Sequence, residues 1–162
     1  MSEISRKPKT TPTGDFQIVT FFLGQEEFGV DILLVQEIIR PAPVTEVPNT
    51  PRFVEGVINL RGKVVPVIDL RKRLNIPTID ADKATRIIII ELEKRITGFV
   101  VDSVSKVITV PAGSVQGAPD MIMSGVEGEY ITGVSRIDDR LVILLDFSKI
   151  LTAGEQRQLS TL

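Results

Sequence analysis

The chain has 162 residues, 43% of them hydrophobic and 25% charged, which is enough apolar material for one domain or for two small packed halves. A net charge of -2 argues against nucleic acid as the main partner, because phosphate binding normally needs a clustered positive surface. With neither Cys nor His, the chain has no disulfide, no thiolate or imidazole metal ligand, no Ser-His-Asp triad and no phosphorelay histidine.

Residues 1–14 are polar, without the apolar core of a targeting signal, and read as a disordered tail. No apolar run approaches a membrane span, so the expectation is a soluble, cytoplasmic protein. Phe16 to Leu23 is β-branched and aromatic and reads as a strand that turns at Gly24 and returns from Phe28. Asp31 is placed to cap a short helical turn over Ile32 to Leu34. Val35 to Ile39 continues that turn or returns to strand; periodicity leaves both open. Four prolines mark 40–51 as a loop. Phe53 to Leu60 and Lys63 to Ile68 form a hairpin about Arg61-Gly62, with Pro66 implying an edge strand or a bulge. Asp69 then caps a short helix, Leu70 to Leu74, which makes Arg71, Lys72 and Arg73 a solvated face.

Thr85 to Leu92 and Ile96 to Val101 read as a second hairpin. Its four consecutive isoleucines, Ile87 to Ile90, require both faces of that strand to be covered. Pro111 to Gly128 is loop. Tyr130 to Arg136 and Leu141 to Leu145 pair about Asp138-Asp139, and Asp146 opens a last helical turn. Residues 153–162 read as a C-terminal tail.

Two stretches align without a gap at an offset of 77 residues: Gly56-Val57 with Gly133-Val134, Val65 with Val142, Asp69 with Asp146, Lys72 with Lys149. Val30-Asp31 and Val101-Asp102 precede similar apolar runs. The chain therefore reads as two similar halves of about five short strands each, meeting near residues 75–84. Sheets of this length tend to close into small barrels, with a binding groove between them. No phosphate loop, nucleotide fingerprint or zinc motif occurs, and the glycines around Ser114 have the wrong spacing for a nucleophile elbow. Asp69 and Asp146 are helix caps rather than a catalytic pair. Arg61 sits at a hairpin tip where no packing demands a guanidinium. It is open to two readings, an ordinary turn residue or a fork of donors for a partner.

Phe28-Gly29-Val30-Asp31, Val35-Gln36-Glu37-Ile38, Asn49-Thr50-Pro51, Gly56-Val57-Ile58-Asn59-Leu60-Arg61-Gly62 and Val65-Pro66-Val67-Ile68-Asp69-Leu70 occur in one order and spacing. Together they resemble the CheW family of chemotaxis coupling proteins, and the resemblance runs from Phe16 to Leu151. It implies an all-β fold of two SH3-like barrels with a groove between them over residues 15–152, no cofactor and no catalysis. It also implies a scaffold joining methyl-accepting chemoreceptors to the histidine kinase CheA, whose regulatory domain shares the fold. Carried over by position, receptor contacts fall on Val35, Val104 and Val107 with Arg61 close by. Kinase contacts fall on Glu37, Ile38 and Gly56, and a second ring contact on Gln116, Asp120 and Met121. The alternative is an adaptor of the same kind serving a non-flagellar sensory kinase.

Overall fold

The computed structural model describes residues 14–111, 113–117 and 130–160. Eleven strands form in this part: β1 (Phe16–Leu23), β2 (Glu26–Asp31), β3 (Val35–Ile39), β4 (Val54–Leu60), β5 (Lys63–Asp69), β6 (Arg86–Leu92), β7 (Arg95–Val101), β8 (Ser103–Val110), β9 (Val115–Gln116), β10 (Ile131–Ile137) and β11 (Arg140–Leu145). Two helices accompany them, α1 (Leu70–Arg73) and α2 (Ala153–Ser160), with a 3-10 turn at Ile32–Leu34. The strands make two sheets, ordered β8-β1-β2-β11-β10-β9 and β3-β6-β7-β5-β4. The hairpins fall where the alternation and turn residues place them. At Glu93-Lys94 and Asp138-Asp139 both turn residues have positive φ, the twist that two-residue hairpins favour. The Asp31 carboxylate accepts from the Leu33 N–H at 2.9 Å, the turn stops after Leu34, and Val35 to Ile39 pairs with β6 as a strand.

The halves are not consecutive. The second sheet is continuous in sequence from β3 to β7, and the first is built from both ends of the described chain. The expected boundary near 75–84 is thereby corrected: that connector joins α1 to β6 within one barrel. The chain changes barrel at 31–35 and at 101–103 instead. The cause is strand pairing, since β5 pairs parallel with β7 and β11 with β2. A parallel neighbour needs a long crossover: β5 reaches β7 through α1 and β6 within one barrel, while β2 reaches β11 only through the whole of the other barrel.

The duplication holds in three dimensions. An offset of 77 carries β4 and β5 onto β10 and β11, including the register shift just before Gly56 and Gly133. An offset of 69 relates β6 and β7 to β1 and β2, and β3 to β8, with matching registers such as Ile90↔Thr97 and Phe21↔Phe28. Each barrel closes through the chain that follows its edge strand. β9 pairs with β10 in the first barrel, and a single bridge, Thr45↔Val57, covers β4 in the second. Each barrel has its own interior, around Ile18, Val142 and Leu144 in one and Ile87, Ile89, Val65 and Val67 in the other. A larger core lies between the barrels and includes Phe21, Phe28, Ile68, Ile88, Ile90, Phe99 and Phe147. The isoleucine run thus divides, Ile87 and Ile89 inward and Ile88 and Ile90 toward the other barrel.

Three further expectations are corrected. Pro66 lies on an interior strand. Val57, opposite it, donates its N–H to the Thr45 carbonyl and accepts the Thr45 N–H at its own carbonyl, at 2.9 Å each, and the ladder with β7 is registered from Val67 onward, so no neighbour asks Pro66 for a donor. Arg71 is buried rather than solvated. Its Nε and Nη2 bind the Asp69 carboxylate at 2.9 and 3.0 Å, and its Nη1 binds Asp102 Oδ1 at 2.8 Å. Burial works against the cation, but these two carboxylates outweigh it and hold the Arg71 pKa above its ordinary value. Residues 153–160 are a helix rather than a tail: Thr152 Oγ1 accepts from Glu155 N–H and Glu155 Oε1 accepts from Thr152 N–H, a capping box, and Leu159 enters the core. The expected disorder of residues 1–14 falls, except for Gly14, outside the described residues.

Candidate functional site

The site is organised by the β4–β5 turn. Arg61 and Gly62 have φ of 52° and 86°, and Asn59 Oδ1 accepts from the Gly62 N–H at 2.8 Å, holding the tip. From this tip the Arg61 guanidinium forks onto the Glu37 carboxylate of β3. The hydrogen bond from Arg61 holds the Glu37 pKa below its ordinary value, and the same bond raises that of Arg61. The two residues, expected at different contacts, therefore form one exposed pair spanning the two edge strands of the second barrel. Beside it Ile38 is exposed.

Gly56 differs in kind from its expected neighbours. It is buried at φ 144°, and a Cβ there would lie 2.1 Å from the Thr45 carbonyl oxygen. Its repeat counterpart Gly133 would bring a Cβ to 2.7 Å from the Gln116 carbonyl oxygen. Both glycines admit the closing strand of their barrel, a backbone requirement.

Val35 and Val104 are half-buried against the inter-barrel core, and Val107 stands exposed on β8. Val35 pairs with Ile90 and Val104 with Phe21, equivalent places in the two barrels. Gln116 is exposed on β9, while Asp120 and Met121 lie outside the described residues. Among the described residues no three carboxylates converge to hold a metal ion.

A family model for the CheW-like domain matches residues 17–155. The chain belongs to the CheW family. Chemotaxis protein CheW of Klebsiella aerogenes is 40% identical over 139 residues, covering 86% of this chain and 83% of that protein. Its counterpart in Treponema pallidum is 34% identical over 161 residues, 97% of this chain and 94% of that protein. The crystal structure of the scaffolding protein TtCheW from Thermoanaerobacter tengcongensis superimposes with a TM-score of 0.79 at 35% identity, over 86% of this chain and 94% of that one. The two SH3-like barrels of the CheW-like domain are the fold that this likeness carries.

Sequence reasoning missed what the repeat does to the surface. Four of the exposed apolar side chains form equivalent pairs, Ile38 (38%) with Val107 (48%) and Val64 (61%) with Leu141 (39%). Charges at equivalent positions are inverted, with Glu37 and Arg61 on one barrel and Lys106 and Asp138 on the other. The 77-residue offset already matched Arg61 with Asp138. The 69-residue offset, which interleaved barrels require, was the missing signal.

Proposed function

We propose that this chain is a non-catalytic scaffold that joins methyl-accepting chemoreceptors to the histidine kinase CheA in chemotaxis arrays, working in the cytoplasm beneath the receptors. The observation that carries the reading is the Arg61–Glu37 pair flanked by exposed Ile38, a polar fork beside an apolar anchor on the rigid edge of a barrel. Nothing in the fold requires that guanidinium at the hairpin tip, and a partner carboxylate or carbonyl could take its remaining donors. Receptor contacts are assigned to Val35, Val104, Val107 and Arg61, and kinase contacts to Glu37 and Ile38. Gly56 supports that surface from within. Gln116, with Asp120 and Met121, is assigned to a second contact, on the barrel whose charges are inverted. Two faces on one rigid body serve assembly, where weak contacts gain by multivalency.

The test is reconstitution. Purified chain, a receptor cytoplasmic tip fragment and CheA should sediment as one complex, and kinase autophosphorylation should change on addition of the chain. Arg61→Glu should weaken receptor coupling by roughly tenfold or more, the scale of a lost charge-assisted contact, with an unchanged unfolding midpoint. The absence of any ternary complex with the unsubstituted chain would refute the reading.

A further inference from the structure

The second barrel and α2 enclose a cavity of about 210 Å³, lined by Ile90, Thr97, Phe99, Phe147, Leu151 and Leu159. Exposed Val64, Glu93 and Arg95 stand at its mouth. The repeat explains why it is there. In the first barrel the place equivalent to Ile90–Thr97 is taken by Phe21 and Phe28, cross-strand partners whose rings stack at 6.0 Å and 18° and are fully buried. The second barrel keeps the frame but has isoleucine and threonine in place of the two phenylalanines. The cavity therefore lies where the other barrel carries aromatic rings of its own. A dry apolar cavity of about 150 Å³ already accepts benzene, so this one has room for a ring.

We propose that this cavity is a docking site for an aromatic side chain, Phe in the first instance, presented by a protein of different sequence. The chain does not supply that ring itself. Its seven Phe and one Tyr all fall in the described part, so the segments outside it contain no aromatic residue. A second copy does not supply it either, since none of these eight aromatics is exposed. A ring entering past Val64 would bury against Phe99 and Phe147, which already meet edge to face at 5.0 Å. The inference does not depend on the scaffold reading, because it is tested on the chain alone.

The experiment is methyl NMR of the full chain titrated with toluene, N-acetyl-phenylalaninamide and N-acetyl-alaninamide. Toluene and the phenylalanine amide should give saturable shifts at the methyls of Ile90, Leu151 and Leu159, and the alanine amide should not. Thr97→Phe restores one of the two rings, at the place that Phe28 holds in the other barrel. It should abolish the toluene shifts and unfold about 2–4 °C higher, as cavity filling does. Should that variant fail to fold, Thr97→Leu replaces it, with toluene binding at least about fivefold weaker. Failure of toluene to shift these methyls would overturn the proposal. Toluene binding without binding of the phenylalanine amide would also overturn it, because a site that rejects the backbone cannot receive a partner's residue.

Discussion

A methyl group on Gly56 would meet the Thr45 carbonyl oxygen at 2.1 Å, and that oxygen accepts the Val57 N–H closing the barrel. Gly56→Ala therefore combines overlap with a φ that L-residues avoid and should cost about 2–4 kcal/mol. Denaturant titration of the isolated chain checks this. Stability unchanged within about 0.5 kcal/mol would return Gly56 to a direct contact role. Glu37 behaves differently because its work is on the surface. Its folded pKa is depressed, so the ion pair stabilises above the unfolded value and is lost as pH falls through the folded one. Carbon-detected titration should place the Glu37 midpoint below 4.5, and Arg61→Gln should return it toward 4.5. An identical midpoint in the variant would mean the pair does not persist in solution. Arg61 was legible as a turn residue from its neighbour Gly62. Its carboxylate partner was not, because β3 and the β4–β5 tip meet only through a strand order that local sequence does not encode.

Among the elements, α2 shows how a legible signal is passed over. Thr152-x-x-Glu155 is a capping box in plain sequence, yet the following turns offer only Leu159 to the core, and without an apolar stripe the segment reads as a tail. What holds the helix is non-local. Arg73 lies between the rings of Phe53 and Tyr130, at 4.9 and 5.1 Å, donates to the Ile150 carbonyl, and pairs with Glu155 at 3.3 Å. Phe53 and Tyr130 are equivalent under the 77-residue offset, so Arg73 sits where the two repeats face each other. Glu155→Ala removes one capping bond and one ion pair and should cost about 1–2 kcal/mol. Hydrogen exchange should speed up across 153–160 while the β6–β7 hairpin stays protected. Uniform acceleration would mean that α2 is part of the global core. The hairpins themselves were legible because turn residues and alternation are local; Arg71 was misread because its burial rests on Asp102, brought from the β7–β8 crossing, as well as on neighbouring Asp69.

For the molecule as a whole, the question is what joins two barrels whose sheets are linked, among the described residues, by the crossings at 31–35 and 101–103. Apolar packing supplies the bulk of the joint, but it is non-directional and does not by itself choose an angle. Asp102 does choose one. It stands at the crossing from β7 to β8. Its Oδ2 accepts from the Gly24 N–H of the first barrel at 2.7 Å, and its Oδ1 accepts from Arg71 of the second at 2.8 Å. At the other crossing, from β2 to β3, Asp31 caps only its own turn, and Ser148 stands where Arg71 would be in the 77-residue repeat, so the clamp exists on one side alone. Val104 follows two residues after Asp102, which ties the clamp to one wall of the inter-barrel face. Asp102→Asn removes one of the two carboxylates on buried Arg71, leaves Asp69 as its counter-charge and weakens the Gly24 contact, so it should destabilise by about 1–3 kcal/mol. Arg71→Met strands both carboxylates and should cost more, about 3–5 kcal/mol, and the double variant about 1–3 kcal/mol less than the sum of the two, because Asp102→Asn then removes one of the carboxylates that Arg71→Met strands. Chemical denaturation of the four proteins measures this coupling. Strict additivity would show that Asp102 and Arg71 stabilise their barrels separately, and the relative setting of the barrels would then rest on the apolar core alone.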